Sequence, residues 1–341
     1  MAVTIKQIAE LANISRGTVD KVLNHRSGVK EDTRQKVLKI AKELNYLPNF
    51  LGKALVKSKA PLKIGIILTP EYNPFIQEML SGVKKARNEF QAFGIEVIIK
   101  MPISLEPAEQ ISILNGLESE GVVGMAVFPM DDDMVRNKIN QLVEKGIAVI
   151  TFNSKIEGTT DFCFVGQNHR KGGRTAAGLL MKLLATGGDV GVIISSYHLS
   201  CHQDRLQGFI DKLKETASPI NVFDVQENQD RKDEAFKITL AYCNQHPNLK
   251  GLYITGGGIA GVGSALSLLN FSHNVAIICH DLVPDTLELL QNGTVDFALG
   301  QSPEYQGYQL VKILFEYLVK KQKPASRDIE IPITIETQDS L

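Results

Sequence analysis

Arg16, Gly17, Asp20 and Lys21 share one side of a short helical pattern. Arg and Lys reach guanine O6 and N7 in a major groove, and Asp accepts from cytosine N4. Gly17 removes bulk there and lets the backbone approach. A second set is dispersed: Asn73, Phe75, Asn153, Arg205, Asp281 and Gln301 each stand just beyond an apolar run or open the helix that follows. Amides, a guanidinium and a carboxylate bind hydroxyl groups in pairs, and an aromatic face stacks on ring C–H, so the set suits a sugar. Each residue also has a plainer reading: Asn73-Pro74 as a helix cap, Phe75 as core, Arg205 as a surface ion pair. No carboxylate pair and no nucleophile–base pair stands out, so no catalytic residue is expected. Cys163, Cys201, Cys243 and Cys279 form no CxxC or Cys/His cluster, and neither a metal, a disulfide framework nor a cofactor is expected.

The elements that would position the first set are three short helices. Thr4 with Gln7 makes a capping box, and Ile5, Ile8, Ala9 and Ala12 then fall on one face. Asn13 stands where a left-handed stop is needed, and Ser15 can cap the next helix. A tight break between two short helices is the helix-turn-helix signature. Val19, Val22 and Leu23 would pack inward. A third pattern begins at Glu31-Asp32, suited to the positive end of a helix dipole, and runs through Val37, Ile40, Ala41 and Leu44. Charge agrees: residues 1–60 hold 12 Lys/Arg against 5 Asp/Glu, and the other 281 residues hold 25 against 33. A basic head on an acidic body points the head at a polyanion.

The 341 residues are too many for one ordinary domain, and 43% hydrophobic with 22% charged is a soluble globular balance. No apolar run is long enough to span a membrane. Met1–Lys6 opens directly into a helical pattern without a charged and then apolar leader, so a cytoplasmic location is expected. From Leu62 onward apolar runs at 63–68, 95–99, 124–128, 148–152, 190–194, 252–254, 275–279 and 297–299 alternate with helical stretches such as 75–93 and 204–214. That alternation implies βαβ units in parallel sheets, here two Rossmann-like lobes with ligands beyond the carboxyl ends of the strands.

Gly256-Gly257-Gly258-Ile259-Ala260-Gly261 satisfies GxGxxG, with Asp281 about 20 residues on. Alone, it suggests a nicotinamide-dependent enzyme. The fingerprint normally opens its domain, however, and here it sits late with no hydride-transfer constellation. A Gly-rich turn at a helix start could also hold an anion, which leaves a phosphorylated sugar as a second ligand class.

Thr4-Ile5-Lys6-Gln7-Ile8-Ala9, Ile14-Ser15, Thr18-Val19, Val22-Leu23-Asn24, Thr33-Arg34 and Leu44-Asn45-Tyr46-Leu47-Pro48-Asn49 together resemble the start of lactose/galactose-repressor (LacI/GalR) family proteins. The resemblance implies a DNA-binding head over residues 1–47, with Thr4, Ser15, Arg16, Gly17, Thr18, Asp20, Lys21 and Asn24 at the DNA. It implies a hinge helix in 48–60, where Leu55 takes the position of a minor-groove wedge beside Lys53 and Lys57. Members usually carry Ser-Arg where this chain has Asp20-Lys21, a departure that bears on the preferred bases. The body, 61–341, resembles a periplasmic-binding-protein-like (type I) sugar sensor, clearest at Asn73-Pro74-Phe75, Asp204-Arg205, Gly208-Phe209, Asp281 and Gln301-Ser302-Pro303. Lobes are expected at about 61–163 with 294–322, and 164–293 with 323–341. Two departures stand out. Gly256-Gly257 replaces the common Asn-Asp, losing a hydrogen-bonding pair and gaining space, and Phe128 stands where a polar residue is frequent. The reading as a whole is an all-α head and an α/β body forming a homodimeric repressor. It would bind a pseudo-palindromic operator of double-stranded DNA under control of a small polar effector, a sugar or sugar phosphate. A transport binding protein would share the body and lack the head.

Overall fold

The computed structural model describes residues 5–23, 26–44, 61–270 and 275–341. The chain divides into two compact units, Met1–Pro61 and Leu62–Leu341.

In the first unit, α1 (Ile5–Ala12), α2 (Arg16–Leu23) and α3 (Glu31–Glu43) enclose a small core of Ile8, Ala9, Ala12, Val19, Val22, Val37 and Ala41. Asn13 takes the left-handed conformation at φ 55°, as its place between two helices requires. Ser15 caps α2: its Oγ accepts from Thr18 N at 3.1 Å.

The second unit holds two six-stranded sheets. Strands β1 (Leu62–Ile67), β2 (Ile95–Lys100), β3 (Gly124–Val127), β4 (Ala148–Phe152), β5 (Cys163–Gly166) and β11 (Asp328–Glu330) form the first, ordered β11-β5-β4-β3-β1-β2. Strands β6 (Gly188–Ile194), β7 (Ile220–Glu227), β8 (Leu249–Ile254), β9 (Ala276–His280), β10 (Phe297–Gly300) and β12 (Thr334–Glu336) form the second, ordered β12-β10-β9-β8-β6-β7. All pairings are parallel except β10 with β12. The connecting helices are α4 (Pro74–Gln91), α5 (Pro107–Ser119), α6 (Asp133–Glu144), α7 (His169–Leu183), α8 (Ser200–Glu215), α9 (Lys232–Gln245), α10 (Ile259–Leu268), α11 (Pro284–Gln291) and α12 (Pro303–Leu318).

The lobe boundaries differ from those expected. Strand β10 belongs to the second lobe, because its ladder runs parallel to β9, while α12 returns to the first and packs on α4. β5 and β11 pair with each other in the first sheet, so residues 164–166 and 328–330 also change lobe. The chain therefore crosses three times, at 167–168, 301–302 and 331–333. Gln167, on the first crossing, donates through Nε2 to Gly300 O and Pro332 O, both at 2.9 Å, and so ties all three.

Glycines bring paired helices close together. A Cβ on Gly82 in α4 would stand 1.9 Å from Glu304 O, and one on Gly307 in α12 would stand 2.1 Å from Met79 O. The second lobe repeats this with α7 and α8: Gly173 faces Arg205 O at 1.9 Å and Gly208 faces Arg170 O at 2.0 Å. That crossing fixes the helix that carries Arg205.

Candidate ligand cleft and DNA-reading helix

On α2, Arg16, Gly17 and Lys21 are exposed and Ser15 is exposed at its start. Asp20 is half-buried, and its carboxylate stands 3.5 Å from Arg26 Nη1, so an acid on the reading face already has a cationic neighbour. Thr18 is half-buried with its hydroxyl 2.9 Å from Ser15 Oγ. Thr4, Asn24, Lys53 and Leu55 lie outside the described residues.

In the body, the carboxyl ends of both sheets meet across a closed cleft. Asn73 caps α4, its Oδ1 accepting from Phe75 N at 3.0 Å, while its Nδ2 crosses to the second lobe and donates to Asp230 Oδ2 at 2.8 Å. Tyr72 OH reaches Gln229 O at 3.1 Å beside it. On the opposite rim, Ser200 Oγ accepts from Lys155 N at 3.0 Å and Asp131 N donates to His198 O at 2.7 Å. A cavity of about 490 Å³ remains, walled in part by Asn73, Asp230, Gly256, Gly257, His280 and Asp281.

Behind this wall lies Arg205, with 1% of its surface exposed. Its Nη1 donates to Thr255 O at 2.6 Å, and its Nε and Nη2 have no partner. Nearby polar atoms are likewise unsatisfied: Asn153 Oδ1, Gln301 Oε1, His169 Nδ1 and His280 Nδ1. Buried groups of this kind carry a desolvation cost unless bonded. Arg205 and these residues are therefore the candidate binding site.

Backbone strain marks the same place. Asn153 (φ 57°) and Asp281 (φ 73°) are left-handed non-glycine residues at strand ends. Asn153 O meets His169 Nε2 at 2.5 Å, and Asp281 Oδ1 accepts from Gln301 Nε2 at 2.5 Å. Burial raises the Asp281 carboxyl above its ordinary range, with Arg205 opposing. Burial, reinforced by the Arg205 charge, holds His169 and His280 well below the usual imidazole value. Burial also lowers His202, to about 4, against the pull of Asp230. The three rings are therefore neutral at physiological pH.

The sites expected from sequence divide clearly. Asn153, Arg205, Asp281 and Gln301 are buried with the unsatisfied atoms, and Asn73, Gly256 and Asp281 line the cavity. Phe75 and Phe128 do not line it. Both lie in the main hydrophobic core, where Phe128 packs against Phe152 with ring centroids 5.5 Å apart. Phe75 is the apolar first turn of α4, and Phe128 points into the core because it continues the fully buried strand β3.

The space expected at Gly256-Gly257 is filled. A Cβ on Gly256 would stand 2.4 Å from His202 Cε1, and one on Gly257 would stand 2.8 Å from Asp230 Oδ1. Asp230 Oδ1 also accepts from Gly257 N at 2.6 Å and from Ser195 Oγ. The amide that a phosphate would use at this turn is thus occupied by a carboxylate, and Asp281 is engaged with Gln301. Both contacts compete with groups a dinucleotide would use.

His169, His202, His280 and Asp230 were not singled out from the sequence. His202 precedes Arg205 by three residues on α8 and so shares its face, a signal available from spacing. Asp230 follows Gln229 in two successive left-handed residues (φ 52° and 59°), which aims it inward; only the polar Asn228-Gln229-Asp230 run hinted at a turn there.

Among the described residues no group of His, Cys, Asp and Glu is placed to hold a metal ion, and no helix is long and apolar enough to cross a membrane. Residues 64–322 match the periplasmic binding protein domain family, and residues 4–49 match the bacterial regulatory proteins of the lacI family. The probable HTH-type transcriptional repressor ExuR of Bacillus subtilis is 26% identical over 222 residues, 64% of this chain and 62% of that protein. The HTH-type transcriptional regulator RegA of Clostridium saccharobutylicum is 34% identical over 151 residues, 44% of each. The chain thus spans less than two thirds of the length of these two relatives. The ribose operon repressor of B. subtilis is matched over 97% of this chain and 96% of its own length at 24% identity. Among solved structures, a solute binding protein of Burkholderia graminis in complex with D-arabinose superposes with a TM-score of 0.76 at 23% identity, covering 83% of this chain and 97% of that one. GanP, a glucose-galactose binding protein of Geobacillus stearothermophilus, gives 0.75 at 21%, covering 82% and 99%. At these identities the likeness is one of fold: two lobes with parallel sheets. The chain belongs to the periplasmic binding protein domain family, with an amino-terminal segment that matches the bacterial regulatory proteins of the lacI family.

Proposed function

We propose that this protein is a sequence-specific DNA-binding transcriptional repressor whose operator affinity is set by a small sugar-like ligand. The observation that carries the reading is Arg205, buried with two free donors among unsatisfied acceptors, in a chain that also presents Arg16, Gly17 and Lys21 on an exposed, capped helix. The first is a sensor awaiting a ligand; the second is a surface that enters a major groove. The matched relatives are named as repressors, and the solved structures of this fold include proteins bound to or named for sugars.

In this reading the protein acts in the cytoplasm as a homodimer on a pseudo-palindromic operator, each head taking a half-site. Ligand shifts the balance between open and closed lobes, and a coupling of about 1–3 kcal/mol changes operator affinity roughly 5–150-fold. The test is selection of operators from random duplexes with the full-length protein, followed by binding titrations with and without sugars. Enrichment of a two-fold-symmetric sequence whose affinity changes with a sugar supports the reading; recovery of no preferred sequence sinks it.

A further inference from the structure

We propose that the cleft selects an uncharged, hydroxyl-rich ligand, a neutral monosaccharide or polyol, over the matching sugar acid or sugar phosphate, and that Asp230 sets this selection. The inference rests on the ligand-sensing reading above and narrows it.

The unsatisfied atoms state what the ligand must offer. Arg205 Nε and Nη2 need acceptors. His169 Nε2 faces a carbonyl and so carries the ring proton, which leaves Nδ1 as a bare acceptor in the neutral ring. Asn153 Oδ1 and Gln301 Oε1 also await donors. A hydroxyl both donates and accepts, so a few hydroxyls satisfy the whole set. A carboxylate or phosphate can answer only Arg205, and would press more lone pairs against the acceptors.

Charge points the same way. Asp230, Asp233, Asp281 and Asp285 line the cavity against Arg231 and Lys232, and Arg231 is bonded to Asp233 at 2.8 Å. The three buried imidazoles add no positive charge. Of the lining carboxylates Asp230 and Asp281 are buried, with Arg205 the one buried guanidinium behind them, so an anionic ligand would meet two buried acids for one buried cation.

The natural anion cradle is partly occupied as well. Free N–H groups at the start of α10 would ordinarily attract a phosphate. Here Asp230 takes Gly257 N–H, in room that exists only because residue 257 has no Cβ. The chain supplies its own anion at this turn, and Asn73 Nδ2 and Ser195 Oγ hold it in place.

The test is calorimetric titration of the full-length protein with matched probes: D-ribose and D-ribose 5-phosphate; D-glucose, D-glucuronate and D-glucose 6-phosphate; D-mannitol and D-mannonate. We expect a neutral member to bind and its anionic counterparts to bind at least tenfold more weakly. In Asp230→Asn, which keeps an acceptor for Gly257 N–H, that ratio should shrink about tenfold. An anionic probe that binds wild-type protein as tightly as its neutral partner overturns the inference and leaves the regulator reading standing. A ratio unchanged in a folded Asp230→Asn overturns the role of Asp230. Silence from every probe overturns the inference together with the sugar-sensing reading on which it rests.

Discussion

Asn73 Nδ2 donates to Asp230 Oδ2 across the cleft at 2.8 Å, while the same side chain's Oδ1 caps α4. One amide thus ends a helix in the first lobe and grips a carboxylate in the second, so lobe closure is coupled to the integrity of a helix start. The two roles separate by mutation. Asn73→Ser keeps a cap acceptor but is too short to reach Asp230. Its stability in urea should fall by no more than about 0.5 kcal/mol, whereas Asn73→Ala should lose about 1 kcal/mol. Small-angle scattering should show both variants more open than wild type without ligand; identical profiles would remove the clasp.

Arg205 is a charge the fold holds at a cost. A buried guanidinium with two unbonded donors carries a desolvation cost that an apolar side chain of similar length avoids. Arg205→Met should therefore melt no lower than wild type without ligand, yet lose roughly tenfold to 150-fold in ligand affinity, as expected when hydrogen bonds to a charged group are removed. A large fall in melting temperature would show instead that Arg205 serves the fold.

On the α7 side, the helix crossing that carries Arg205 depends on Gly173 and not on Gly178. In α7, Gly173→Ala would drive a Cβ to 1.9 Å from Arg205 O, forcing the helices apart at a cost of about 1–3 kcal/mol or more. Gly178→Ala in the same helix meets nothing within 4 Å and should stabilise by about 0.5–1 kcal/mol through helix propensity. Thermal unfolding of the pair checks both signs, and equal effects would contradict the packing account.

Acid should loosen the body through its buried histidines. His169, His202 and His280 are held neutral in the folded state, below the ordinary imidazole value of 6.5, by burial first. The unfolded chain then binds more protons below pH 6.5, so stability is complete above that value and falls with acidification at up to about 1.4 kcal/mol per pH unit for each ring. For His202 the window closes at about 4. His202→Gln should flatten the decline between pH 6.5 and 4.5 in denaturant titrations; an unchanged slope would place the proton uptake elsewhere.

The head offers a stability and a recognition test. Ser15→Ala removes the bond to Thr18 N and should cost about 1 kcal/mol of head stability. Arg16→Ala should leave the fold unchanged, since Arg16 is exposed, and cost about 1–3 kcal/mol on the selected operator if it reads a base edge. Lys21→Ala, if Lys21 meets phosphate, should instead weaken all sequences alike and reduce the salt dependence by about one charge.

Periodicity and turn chemistry were enough for most elements. The capped α2, the left-handed Asn13 and the apolar runs that became β1–β4, β6 and β8–β10 are local matters, decided by side chains a few residues apart. Asn153, Arg205, Asp281 and Gln301 stood out by polar type at strand ends and helix starts, and the structure buries all four. Strands β5, β7, β11 and β12 escaped: the edge strands β7, β11 and β12 are largely exposed or half-buried and carry no continuous apolar run, and the lobe of β5 and β11 is set by their pairing far along the chain. The fate of Gly256-Gly257 was beyond the sequence for the same reason. A missing side chain reads as empty space until the fold brings His202 and Asp230, some 54 and 27 residues earlier, into that space. Likewise nothing local distinguishes Phe75 and Phe128 as core from the same residues as a sugar platform. The sequence alone determined which groups are available to bind, because composition and spacing are local. Only the tertiary structure decided which of them remain unsatisfied, because satisfaction depends on neighbours brought together from both lobes.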